Sequence, residues 1–221
     1  MADHNTPASD VVGVMDALRE STKDMHNETE GHDFQKQLGS GTVRQDRYVA
    51  YLGQLYLMHK QLGELLKRAA STDGRVAAVL APYHSDLSAV SSDLEYFSVA
   101  PEGVVPIAST AGLLSYMDEL ARRSPLALLG FLYVLEGSTN GAKFMAKTLR
   151  AGMNLPDDRG ASYFDRYGDQ QRERWSHFKE TMNAQGFNQS EIDAIVAEAK
   201  RLFQTFFDIG NELIATSSAV L

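Results

Sequence analysis

The sequence predicts an all-α fold, a single-domain multi-helix bundle of about eight helices. Three observations predict it. Apolar residues recur at helical spacing almost end to end, strand-like alternation is missing, and only 6 prolines and 17 glycines punctuate 221 residues. Ser9 and Asp10 can cap a first helix that runs to about Glu30, leaving residues 1–9 as a flexible polar tail and residues 10–221 as the domain. Thr42 to Gln45 reads as a capping box that opens a long helix reaching about Ala70, with Tyr48, Leu55, Leu62 and Leu66 on its apolar stripe. Shorter helices follow at about Gly74–Leu80, Ser85–Phe97 and Ser109–Arg123. Ser124 before Pro125 is a cap followed by proline at the first helical position, and starts a helix to about Arg150. Gly152–Arg166, with Pro156 and Gly160, reads as a loop. Asp169–Ala184 and Ser190–Ala215 close the chain, with Ser190 and Asp193 as the last N-terminal signature.

Composition then narrows the function. At 43% hydrophobic residues the chain can build its own core, and a chain this long buries roughly 70–75% of its unfolded surface. With 21 basic against 29 acidic residues the net charge is −8, which argues against a nucleic-acid phosphate binder. Cysteine is absent, so thiolate metal sites, iron–sulfur clusters and cysteine nucleophiles are excluded together. The longest apolar stretch, Leu126–Leu135, is about half of the ~20 residues that a membrane span needs. The first ten residues carry no signal-peptide pattern, so a cytoplasmic protein is expected.

Chemistry concentrates in two segments. In the first helix Met15, Leu18, Thr22 and His26 share one stripe, because offsets of three and four stack on one face. Arg19 and Lys23 flank His26, and Glu30 lies one turn beyond, where a carboxylate can accept the imidazole Nδ1 proton. That would leave Nε2 with a free lone pair, as a metal-ligating histidine requires. A histidine satisfied at the edge of a packed face, beside ordinary helical ion pairs, accounts for the same residues. The second segment is GFLYVLEGSTNGAKF, where Gly137 and Gly141 sit four apart in an otherwise apolar helix. Each costs about 1 kcal/mol of helix stability relative to alanine, so something should offset it. Close helix packing with a kink is one explanation. A flat ligand against a bare helix face is the other, and heme fits both segments: iron takes histidine, propionates take Arg or Lys, and the ring needs a helix without side chains above it.

The run LRESTKDMHNETE, followed by YLGQLYLMHKQLGELLKR, closely resembles the N-terminal half of heme oxygenases. The Gly137–Gly141 helix is similar to their distal helix, YFDRYGD…RWSHFKETMNA looks like the bacterial, biliverdin-producing form, and AEAKRLFQTFFDIGNEL resembles their final helix. The resemblance implies heme between the first helix and the glycine-containing helix, cleaved reductively with O2 to biliverdin, carbon monoxide and ferrous iron. It also implies His26 as iron ligand, Glu30 as its partner, and Arg19, Lys23 and Lys179 near the propionates. Gly137, Ser138, Asn140 and Gly141 would lie against the ring, and Phe203 would be an apolar pocket residue. Where vertebrate-type members carry a distal aspartate this chain has Gly137, their second distal glycine pairs with Asn140, and their long-helix tyrosine pairs with His59. No dinucleotide-binding fingerprint is present, so electrons are expected from a ferredoxin or an NAD(P)H-dependent reductase.

Two rival readings use the same scaffold. A diiron oxidase would draw on Glu30, His59, Glu64, His84 and Glu136, and a heme carrier or sensor would keep the His26 face without catalysis. Of the other histidines, His59 lies on the long helix's apolar stripe and can face the pocket, while His32 and His177 read as turn and surface residues. Trp175 reads as packing.

Overall fold

The computed structural model describes residues 13–156 and 159–216. Within them ten α-helices follow one another: α1 (Val14–Gly31), α2 (Asp33–Ser40), α3 (Gln45–Ala70), α4 (Gly74–Val79), α5 (Ser88–Tyr96), α6 (Ala108–Arg123), α7 (Leu129–Gly137), α8 (Thr139–Met153), α9 (Gln171–Asn183) and α10 (Gln189–Ala215). Short 3-10 turns join several of them, including 125–128 before α7 and 162–165 before α9. No strand occurs among the described residues. No described helix is long and apolar enough to cross a membrane.

The helix α3 is central because its sequence is apolar nearly all round, and 16 of its 26 residues are buried. Tyr48, Leu52, Leu55, Met58, Leu62 and Leu65 from it meet Phe34, Phe131 and Phe178 in one continuous core. Around it, α10 packs on α1 and α7, and α2 packs on α8. Two glycines set how closely these pairs approach. A Cβ at Gly130 would stand 2.1 Å from the Ile195 carbonyl oxygen of α10, and one at Gly152 would stand 1.9 Å from that of Gly41. The backbones therefore touch where no side chain intervenes.

Several helix ends differ from the sequence expectation. The expected caps Ser9 and Asp10 lie outside the described residues. The structure starts α1 after Gly13, and Asn183 at the end of α9 accepts the Met15 amide at 3.2 Å. An eight-residue helix, α2, was not expected. Its cap is His32, whose Nδ1 accepts the Phe34 amide at 3.1 Å while Nε2 meets Asn211 Oδ1 at 3.0 Å. The Thr42–Gln45 capping box does not form, because Gly41 (φ 71°) turns the chain and the Thr42 and Val43 amides close α2 on the Gln37 carbonyl. The long helix then begins at Gln45 without a side-chain cap. At the other end α10 is opened by Asn188 with Glu191 in a reciprocal capping box, ahead of the expected Ser190 and Asp193.

The expected Pro125–Arg150 helix is three elements, with an interruption at Ser138. Three consecutive polar side chains explain the interruption. Ser138 Oγ donates to the Leu135 carbonyl at 2.8 Å, Thr139 Oγ1 to that of Glu136 at 2.7 Å, and Asn140 Nδ2 to that of Gly137 at 2.8 Å. Side chains thus reach back to three successive carbonyls, in competition with the regular helical ladder. The expected Gly152–Arg166 loop is shortened by the end of α8 and closed by the 162–165 turn. Fully buried Asp93 holds that turn, accepting the Ser162 and Tyr163 amides at 2.9 and 2.8 Å.

Candidate functional site

A cavity of about 680 Å3 opens between α1, the α7–α8 junction and α10, a volume ordinary for a small-molecule site. The first wall is α1, whose Arg19, Lys23, His26 and Glu30 recur at helical spacing and line the cavity together. The second wall is the junction, with Gly137, Ser138, Asn140 and Gly141. The third is α10, which adds Phe203 and Phe206, and the 162–165 turn and α9 close the space with Tyr163, Phe164, Arg166 and Trp175.

Every site residue expected from the sequence lines this cavity except Lys179. That lysine lines an adjoining cavity of about 460 Å3, which shares Arg19, Tyr133 and Trp175 with the first. Its Nζ stands 5.9 Å from the Trp175 ring centroid.

The His26 side chain is 53% exposed and meets Phe203 edge-on at 5.8 Å between ring centroids. Glu30 lies beside Nε2, with Oε1 at 3.7 Å, and not at Nδ1 as the sequence suggested. That distance is beyond a hydrogen bond. Among the described residues neither ring nitrogen makes a hydrogen bond, and Nε2 has only this 3.7 Å approach of an exposed carboxylate. Arg19 meets Glu20 at 3.1 Å and Asp16 at 3.7 Å on the surface. Exposed pairs of this kind contribute at most about 1 kcal/mol, so an anion in the cavity can displace them.

The two glycines answer the packing question directly. A Cβ at Gly141 would meet nothing within 4 Å, and one at Gly137 would only reach the Trp175 ring at an ordinary 3.6 Å. Close helix packing therefore does not explain them, whereas it does explain Gly130 and Gly152. The face they leave bare opens on the cavity. Ser138 and Asn140 also line it, yet their polar atoms are already bonded to the carbonyls of α7, and Asn140 Oδ1 accepts from Gln171 at 2.8 Å.

Sequence reasoning missed Arg166, Trp175 and Tyr163. The available signal was the aromatic pair Tyr163 and Phe164 in a presumed loop with Tyr167 just beyond it, since exposed segments seldom carry three aromatics so close together. Behind this wall lies a buried polar cluster. Tyr167 donates to Glu136 Oε1 at 2.8 Å, Arg166 Nη2 stands 3.6 Å from the same oxygen, and His84 Nε2 is 3.8 Å from Oε2. His59 does not face the cavity; it is buried and bonded to the Tyr163 hydroxyl at 2.8 Å. Among the described residues no three His, Asp or Glu side chains converge on a point that could hold a metal ion, so the carboxylate–histidine set of a diiron oxidase does not assemble.

Burial pushes both buried histidines down to about 3, with the Arg166 charge adding to the effect. They stay neutral in the folded chain, while the unfolded chain takes up protons near pH 6.5. The unfolded state thus binds more protons between pH 6.5 and 3, and stability falls as pH drops through that window. Glu136 acts in the opposite sense, because burial raises its carboxyl and folding then takes up a proton. Between pH 7 and 5 each histidine is expected to cost about 2 kcal/mol, reduced in sum by Glu136. Urea unfolding at the two pH values measures this. An unchanged free energy would contradict it, and His59→Phe should roughly halve the fall.

Comparison with known proteins follows the same outline. The family model described as heme oxygenase matches residues 13–212. The heme oxygenase of Guillardia theta is 22% identical over 205 residues, covering 89% of this chain and 84% of the relative. Heme oxygenase 1 of Synechocystis is 25% identical over 207 residues, covering 91% and 85%. Among solved structures, heme oxygenase from Leptospira interrogans superposes with a TM-score of 0.84 at 21% identity, covering 91% of this chain and all of the other. Heme oxygenase-1 from Synechocystis in complex with heme gives 0.84 at 22%, covering 91% and 92%. At those identities the superpositions speak for the fold.

Proposed function

The chain belongs to the heme oxygenase family, and from that premise we propose that it binds heme in the α1–α8 cavity and cleaves it to biliverdin, carbon monoxide and ferrous iron. One observation carries the reading: an imidazole with no hydrogen bond on either nitrogen shares a cavity with a glycine-bared helix face. Bound heme supplies both the iron at which O2 is reduced and the ring that is opened.

The protein's own residues bind and orient. His26 would offer one ring nitrogen to the iron, and Glu30, one turn on and exposed, would accept the proton of the other. A neutral imidazole donates less electron density than a thiolate, in keeping with a bound ligand that is not cleaved early. Arg19 would release its surface partners and, with Lys23, take the propionates, with Lys179 adding charge from the adjoining cavity. Phe203 and Phe206 supply the apolar floor, and the bare Gly137–Gly141 face lets the flat ring approach the backbone. O2 enters as co-substrate. Electrons come from a ferredoxin or an NAD(P)H-dependent reductase, and a cytoplasmic location belongs to the same proposal.

The test is to add hemin to the purified chain, then ascorbate or ferredoxin with its reductase under air. A one-to-one Soret complex that bleaches into a biliverdin band is the expected result. A complex that forms but never bleaches with either donor would make the protein a heme carrier, and no complex would overturn the reading altogether.

A further inference from the structure

We propose that Arg166 is the hydrogen-bond donor this chain presents to a small diatomic or anionic ligand held at the heme, and that Glu136 is the positioning residue that holds Arg166 there. The proposal rests on the heme reading above. Three cations line the cavity: Arg19, Lys23 and Arg166. The first two stand on an exposed helix face, whereas the Arg166 side chain is only 9% exposed.

Its guanidinium is held by four groups and also lines the cavity. The Tyr163 and Tyr167 rings hold it at 4.8 Å each, the Leu135 carbonyl accepts from Nη2 at 3.2 Å, and Glu136 Oε1 lies 3.6 Å away. A guanidinium carries five N–H donors in a rigid fork, so this clamp sets the direction of those it does not consume. A smaller polar cavity of about 260 Å3 meets the main one at Asn140, Phe164 and Arg166, which places the side chain at the junction of the two.

The surroundings of Glu136 show that its role is to hold Arg166. Its side chain is 3% exposed, with Tyr167 donating to one oxygen. The other oxygen faces His84 Nε2 at 3.8 Å, a buried nitrogen with no hydrogen-bond partner. Because His84 Nδ1 accepts the Ala81 amide at 3.0 Å, Nε2 carries the proton and points a dipole, not a charge, at the carboxylate. Arg166 is thus the full positive charge that balances Glu136. Well-packed apolar residues would hold this part of the core at lower desolvation cost. The pair has its use where the cluster emerges, which is the cavity wall. Arg19, Lys23 and Lys179 already supply charge for the heme edge, so this ion pair is not accounted for by the rest of the site.

The experiment uses the full chain loaded with ferric hemin and titrated with azide, an anionic ligand that a guanidinium can bond. Arg166→Gln should weaken azide binding about tenfold or more, with Arg166→Lys recovering part of the loss. Glu136→Gln should give a smaller loss, because the donor stays but its clamp is relaxed. The double variant Glu136→Gln/Arg166→Gln leaves no unpaired buried charge and guards against misfolding of the single one. Azide affinity should fall by a larger factor than hemin affinity in every variant, a separation that a merely structural role would not give. Azide binding unchanged in a folded double variant that still takes up hemin one-to-one would overturn the proposal. Failure of the wild-type chain to bind hemin would overturn the heme reading itself, and this proposal with it.

Discussion

Replacing His26 by alanine is expected to abolish the histidine-type Soret spectrum of the hemin complex and, with it, turnover. Among the described residues no second imidazole is placed to take over. His59 is bonded to Tyr163 behind the wall, His84 is buried against Glu136, and His32 is spent capping α2. The apolar floor and the α1 cations remain, so hemin should still associate, with affinity lower by at least about tenfold for the lost ligand bond. Free imidazole added to the variant should restore the spectrum, because the ring has no structural hydrogen bond to lose. A His177→Ala control on the exposed face of α9 should change nothing. An unaltered spectrum in His26→Ala would remove this residue from the iron.

The second large effect separates two kinds of glycine. Gly152→Ala would place a methyl 1.9 Å from the Gly41 carbonyl oxygen and 2.7 Å from its carbon, both of them backbone atoms. Neither α2 nor α8 can yield without parting from the other, and overpacking of this severity costs about 3 kcal/mol. Gly141→Ala should do the reverse, because its Cβ meets nothing and alanine gains up to about 1 kcal/mol in a helix. Yet that methyl projects from the bare face, so hemin should bind less tightly to the more stable protein. Urea unfolding and a hemin titration on both variants check the pair. Equal stability losses would show that Gly141 is a packing residue after all.

The parts of this site that can be read from sequence are those carried by a single helix. Arg19, Lys23, His26 and Glu30 share a face because residues three and four apart must do so, whatever the rest of the chain does. The glycine pair is likewise legible, since its propensity cost is local. What stays hidden is set by distant residues. Arg166 reaches the cavity only because Asp93, some 70 positions earlier, fastens the turn before it, and no spacing rule connects the two. Helix α2 escapes notice because an imidazole does the capping that Ser, Thr, Asp or Asn would advertise. The register of Glu30 against His26 fails for a simpler reason: with both side chains exposed, helix geometry brings them close without selecting which nitrogen they share.

The Asn183 side chain on the Met15 amide has a consequence for the order of events during synthesis. The helix that bears His26 is made before α9 and α10, but its N-terminus is capped from the end of α9 and its face lies on α10. Contacts of such sequence separation form late. Until α9 and α10 follow, a nascent chain therefore carries His26 with no pocket to put it in. The cavity closes as a single event, when α10 emerges and α1 docks on it. A chain truncated before α10 would thus be blind to heme even with every α1 residue in place.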